Sequence, residues 1–569
     1  MRKQLTSSAA ALSITFVLAA CGGGENTRKT SSIASEGASA PTSISLAVSS
    51  ALLPSEAARL AKQASFGPTQ ELVDEIVASG AAEDWINGQF SYNSSTYADI
   101  SAKTVPGNYC GVLTGADLNN CYRNNFSAVP VQMRFYSNAV SNKDQLRQRV
   151  AFALSQIIVA SELDVHNTSG LAAFNQILLS NSFGNYRDIL KSVTLNPYMG
   201  DYLDLAESNK SQPNENYARE LMQQFSVGTI LLNPDGTPQT DSSGTPISTY
   251  SNSDVKEIAR ALTGWTWSRL NNAPLTDYNN RDWSKPMIAD AVRFDSGAKT
   301  FLGKTVPAGA TQQANVDAVV DAVFNHPNIG PYICKRLIQQ LTVSNPTPAY
   351  VERVAAAFAD NGSGVRGDMK AVVRAIYLDS EARTVSQLPG KVKEPVLLAT
   401  SLARAIGFTT DGFVFATRDS AMGQTPFRAP SVFNFYPYDF PLPQGNGLVS
   451  PATKLMTPAT VIARHNFVFD WTISGDTTRA EFQPQSFIPN ATGTQPQWAT
   501  WEANAANDEK TIDRIDLVLM NGTMTAAQRQ ALRLAMAPIK SSDPATQARK
   551  RAQTALYIVA SSPFFQVDR

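Results

Sequence analysis

The sequence predicts a mainly α-helical fold: a large multi-helix globular body with a small β-hairpin and long loops. Two observations carry this reading. Apolar residues recur at helical spacing along many separate stretches. No strand–helix–strand alternation appears, so a doubly wound parallel sheet is not expected. Of the 569 residues, 43% are hydrophobic, which is ample for a large core.

In chain order, residues 1–21 read as a lipoprotein signal peptide. Arg2 and Lys3 supply positive charge, and residues 9–20 form an apolar run too short to span a bilayer. The run ends in Leu18-Ala19-Ala20-Cys21, followed by three glycines. This resembles a bacterial lipobox, in which Cys21 is lipidated; a plain secretory signal is the alternative. No aspartate follows Cys21, which resembles outer-membrane sorting in a Gram-negative host. Residues 22–50 are rich in Ser, Gly, Ala and Thr and read as a flexible tether. The body, 51–569, is expected as one large domain in one or two lobes, held at the membrane by the lipid anchor. An exported protein meets an oxidising compartment, so Cys110 and Cys121, flanking "CGVLTGADLNNC", are expected to form a disulfide rather than two thiols. Cys334, in "YICKRLIQQL", reads as a small buried hydrophobe.

"DQLRQRVAFALSQIIVAS" puts Leu146, Val150, Leu154 and Ile157 on one helical stripe. "VDAVVDAVFNH", "YICKRLIQQL", "YVERVAAAFAD", "MKAVVRAIYLD" and "AQRQALRLAMAPI" repeat the pattern. "SNSDVKEIARALTG" opens with a capping box, Ser251 and Asp254, and stops at Gly264. β signal is confined to "TILLNPDGTPQTD", read as a small hairpin around residues 233–236. "DFPLPQGNGLVS", 439–450, is a surface loop of the kind that lines grooves.

Lys+Arg and Asp+Glu are both 48, so no basic bias points to nucleic acid. The three histidines, His166, His326 and His465, stand far apart, and no metal, P-loop, dinucleotide or nucleophile-elbow motif is present. No metal site and no cofactor are expected. His326, before Pro327, is expected to cap a helix end, and His465 to be structural.

"NENYARELM", 214–222, asks for a decision between an ordinary helix and a chemical site. On a helical wheel Tyr217, Ala218, Leu221, Met222 and Phe225 fill one side. Glu215, Asn216, Arg219, Glu220 and Gln223 fill the other. Asn214 can cap the start and Gly228 can end it. The preceding "MGDYLDLAESNKSQP" reads as a helix carrying Asp201, Asp204 and Glu207. Two helices on a short loop pack antiparallel, which would bring these acids to Arg219 or Asn216. Arg219 is expected to organise the cluster, touching at least one carboxylate of Asp204, Glu207, Glu215 or Glu220. Two readings stay open: a buried structural network, or a site in which Glu215, Arg219 and Glu220 act and Asp204, Asn214, Asn216 and Trp265 bind.

"NENYARELMQQFSVG", "YSNSDVKEIARALTGWTW" and "DSGAKTFLGKTV" resemble, in order, signature blocks of the bacterial family called domain of unknown function 1800. "ARLAKQASFGPT", "KVKEPVLLATSLARAIG", "FRAPSVFNFYP" and "IVASSPFFQVDR" fit as well, so the resemblance covers nearly all of the chain after the tether. It implies a bacterial, usually exported, largely helical protein, and supplies architecture more than function. One departure matters. Many members carry Trp-His-Asn-His-Phe where this chain reads "LSQII", so Ser155 and Ile157 hold the two histidine positions. The expected role is a scaffold or binding protein at the cell envelope with a protein or glycan partner. The alternative is an exported enzyme acting on a polar polymer or glycan through the acid–arginine cluster, with Trp265 and Trp267 stacking on sugar rings or packing in the core.

Overall fold

Polar signals at helix ends and apolar stripes along their bodies set the architecture. A computed structural model describes residues 52–569 except 275, 386, 387 and 389. Cys21, the leader and the tether lie outside the described residues. The described residues form one unit, with 25 α-helices and five two-stranded antiparallel sheets. The fold is mainly α, as the periodicity predicts. No described helix is long and apolar enough to cross a membrane.

The capped segments form as their signals require. Asn252–Ala261 begins with the Ser251–Asp254 capping box: Ser251 N donates to Asp254 Oδ2 at 2.8 Å and Asp254 N to Ser251 Oγ at 3.3 Å. Gln145–Ile157, Gln312–Asn325, Ile329–Leu341, Pro348–Ala359, Met369–Leu378 and Ala526–Met536 occupy the remaining periodic stretches. Their apolar faces meet in one large core, in which Trp471 packs against Phe408, Phe415 and Phe467 at ring separations of 4.3–4.7 Å. Cys334 is fully buried in that core. Cys110 and Cys121 form a disulfide, with Cα atoms 5.8 Å apart.

One expectation is extended and one is overturned. The expected hairpin turns at 233–236, where Leu232 bridges Pro238 and Gly236 N donates to Asn233 O at 2.9 Å, and further single bridges, Ile230 to Ser248 and Thr240 to Pro246, extend it into three runs over 229–248. Prolines at 238 and 246 remove donors that a regular ladder needs. A second tight hairpin, not read from the sequence, pairs Lys299–Phe301 with Lys304–Val306. Its turn residues Leu302 and Gly303 both take positive φ, the geometry that matches strand twist. The overturned expectation is the helix before "NENYARELM", which is only Pro197–Tyr202. Asp204 and Glu207 lie beyond it with φ of 55° and 70°, so they belong to a left-handed loop and no antiparallel helix pair forms.

Candidate functional site

The Asn216–Gln223 helix is built as its wheel implies. Asn214 Oδ1 accepts from Asn216 N at 2.9 Å, which tightens the entry turn. Tyr217, Ala218, Leu221 and Met222 are buried, and the Tyr217 hydroxyl bonds Thr194 Oγ1 at 2.8 Å. Gly228, at φ +70°, closes the exit by donating to Met222 O at 2.8 Å; a Cβ there would run into the Tyr332 ring.

Its polar side is looser. Arg219 Nη2 lies 3.0 Å from Glu215 Oε2, and these side chains remain 42% and 34% exposed. Asn216 Nδ2 donates to Asp204 Oδ2 at 2.7 Å. Glu207 turns away to Arg293 Nη1 at 2.9 Å and anchors its own N–H on Trp265 O at 2.7 Å. Asp201 approaches Arg281 at 3.5 Å. So the acids disperse over three arginines rather than converging on Arg219.

Asp204, Glu207, Asn214, Glu215 and Asn216 line an open polar depression of about 630 Å³. Arg219, Glu220 and Trp265 do not line it. Trp265 is 4% exposed and pairs through its strand with Ala289; Trp267 is equally buried, with the Arg281 guanidinium 3.6 Å from its ring centre. Neither indole is available to stack on a sugar. Glu220 is half-buried; burial raises its carboxyl above the usual range, Arg219 only partly opposing, and its Oε2 has no hydrogen-bond partner. No group of three or more His, Cys, Asp or Glu side chains among the described residues is placed to hold a metal ion. His326 Nδ1 accepts from Asn328 N at 3.1 Å, and burial lowers its pKa, so the ring serves as a neutral acceptor at its helix end.

A second groove, of about 660 Å³, has Gln224 in its lining. The Ile329–Leu341 helix presents Tyr332, Lys335, Arg336 and Gln339 to it, one face at spacings of three, four and seven. Opposite stand the 229–238 ribbon and the 432–449 segment, which includes part of the Pro- and Gly-rich loop flagged in the sequence. Buried Asn328 holds the ribbon, accepting from Leu232 N at 2.5 Å and donating to Ile230 O at 2.9 Å. Asn345 holds the loop: its amide donates to Val449 O at 2.9 Å and accepts from Val449 N at 2.8 Å. The Arg336 guanidinium sits between the rings of Tyr332 at 3.9 Å and Tyr438 at 4.7 Å, and its Nε is buried without a partner. Burial lowers the Lys335 ammonium pKa, with Arg336 adding to the effect. Phe433 is 53% exposed at the rim, and Ile157 lies in the wall. Sequence reasoning found only the loop of this groove. The Tyr332-x-x-Lys335-Arg336-x-x-Gln339 face was the remaining signal, and it reads as an ordinary amphipathic helix.

A family model described as "Protein of unknown function (DUF1800)" matches residues 59–567. The chain belongs to the DUF1800 family. No curated protein matches it, and no solved structure does. Within this DUF1800 chain, Ser155 donates to Phe152 O at 2.8 Å and Ile157 is 3% exposed, so neither supplies an imidazole's chemistry.

Proposed function

We propose that this DUF1800 protein is a lipid-anchored envelope protein whose groove binds an extended, acidic glycan without transforming it. The observation that carries the reading is Arg336, a guanidinium held between two tyrosine rings in a groove, with no carboxylate hydrogen-bonded to it among the described residues. Such a cation is preorganised for a carboxylate or sulfate on a ligand. Phe433, exposed at the rim, offers a face to a sugar ring, and the volume falls in the range of ligand sites. The dispersed acid–arginine residues support binding over catalysis. The disulfide supports a compartment outside the cytoplasm.

Purified wild type, Arg336→Ala and Phe433→Ala are to be co-sedimented with isolated envelope polysaccharide. Each variant should bind about tenfold more weakly, a loss of ~1.4 kcal/mol, with its melting temperature retained. Equal binding by all three would remove the groove from the function. For the anchor, Cys21→Ser should move the protein from membranes to the soluble envelope fraction and abolish acyl labelling; unchanged fractionation and label would refute it. A second reading, an exported enzyme on a polar glycan, draws on Glu220, whose raised carboxyl suits a general acid. It requires that Glu220→Gln abolish glycan turnover while glycan binding persists.

A further inference from the structure

The strongest unassigned feature is a cationic cavity where the first described helix, a central strand and the last strand meet. The Pro54–Ala64 helix contributes Arg59 and Lys62, the Gln145–Ile157 helix Arg149, and strand Lys391–Val392 contributes Lys391. That strand pairs antiparallel with Val567–Asp568, and together they enclose about 100 Å³.

The charges there do not balance locally. Asp568 is shared by two ammonium groups, Lys62 Nζ at 2.8 Å and Lys393 Nζ. Arg59 spends its guanidinium on the carbonyls of Ala382 and Thr384 at 2.8 and 2.5 Å and on a main-chain oxygen of Arg569 at 2.6 Å, where the carboxylate of the last residue offsets one positive charge and leaves Arg149 and Lys391 without one. Arg149 and Lys391 both donate to one carbonyl, that of Gln340, with Arg149 Nη2 at 3.4 Å. Arg149 is 2% exposed and its Nε has no partner. Two further carboxylates stand nearby: Glu381 lines the cavity, and Glu394 keeps one buried oxygen, Oε1, without a partner. Glu381 accepts from Thr347 at the main chain, and Glu394 accepts from Tyr436 Oη at 3.0 Å. Burial, with Arg149 adding to it, pushes the Lys391 ammonium down to about 8. Uncompensated buried cations are costly, and the ordinary remedy is an anion.

We propose that this cavity binds a small tetrahedral oxyanion, phosphate or sulfate, between Arg149 and Lys391, with Arg59 and Lys62 behind. The space suits such an ion: it amounts to the share of about three waters in liquid. A guanidinium and an ammonium supply the charge-assisted donors that oxyanions take. Arg336 and Phe433 do not line it, although Asn345 and Leu388 line both this cavity and the groove.

The test uses the full-length chain, titrated with inorganic phosphate, sulfate and glycerol phosphate against chloride at matched ionic strength, by calorimetry and by melting. Inorganic phosphate should bind saturably and raise the melting temperature, as any ligand of the native state alone must. Stabilisation by inorganic phosphate but not glycerol phosphate marks a site for the free ion; stabilisation by both marks one that also admits monoesters. Either supports the proposal. Arg149→Gln removes a fully buried side chain and can fail to fold, so Lys391→Met is the deciding variant. It should weaken phosphate at least about tenfold and melt no lower than wild type in chloride, because it deletes an unbalanced, partly buried charge. No saturable response in the wild type, or an unchanged phosphate affinity in Lys391→Met, would overturn the site.

Discussion

Arg219 illustrates how a side chain can meet its expected partner without the expected consequence. It contacts Glu215 at 3.0 Å, yet the pair is a half-exposed helical i,i+4 bridge. Such bridges contribute only tenths of a kcal/mol. Arg219→Ala should therefore change unfolding free energy by less than about 0.5 kcal/mol in a urea titration; a loss several times larger would restore it as an organising charge. Asp419 is the opposite case. It is buried beneath the hydroxyls of Tyr136 and Thr425, and burial pushes its carboxyl up to about 7. An acid whose folded value lies above its unfolded one holds its proton more tightly when folded. Its contribution is complete below about pH 4 and lost as pH rises through about 7. Melting curves from pH 4 to 8 should show Asp419→Asn declining less than wild type; parallel declines would refute this.

Among the elements, those with a local instruction were legible. The Ser251–Asp254 box, the apolar stripe of Ile329–Leu341 and the glycine stop at Gly228 each act within one or two turns, and each appears as read. The helix over Asp204 and Glu207 was misread because acids three apart imitate a helical face. Their left-handed backbone is settled by partners far along the chain, such as Trp265 O and Arg293. The groove was illegible for the same reason, since its walls come from five separated stretches and none carries a motif. The 439–450 loop carries main-chain bonds of its own, such as Leu442 N to Leu448 O at 2.9 Å, and a distant amide, Asn345, ties it to the body. Asn345→Ala leaves Val449 N–H and C=O without those bonds, at a cost of roughly 1–3 kcal/mol. It should speed hydrogen exchange in that loop and weaken glycan binding. Exchange unchanged at 448–450 would show that the loop holds itself.

At the scale of the whole molecule, one core spans the described residues and joins stretches hundreds of positions apart. The fold class was readable because a mainly helical body repeats one simple period, whereas the long-range joins have no counterpart in local pattern. One of those joins is the contact of Arg59 with the main chain of Arg569, beside the pairing of Val567–Asp568 with Lys391–Val392. Topologically, it makes the path from 52 to 569 nearly a closed ring, with its seam at a helix only 11 residues long. The seam can then be moved. Joining 569 to 52 through a short Gly-Ser linker, and reopening the chain at the exposed turn between Gly362 and Ser363, should give a permuted protein with the same helical circular dichroism and a single melting transition. A permutant that stays unfolded would mean that the order of the chain, and not only the neighbourhood of its residues, is needed to build this core.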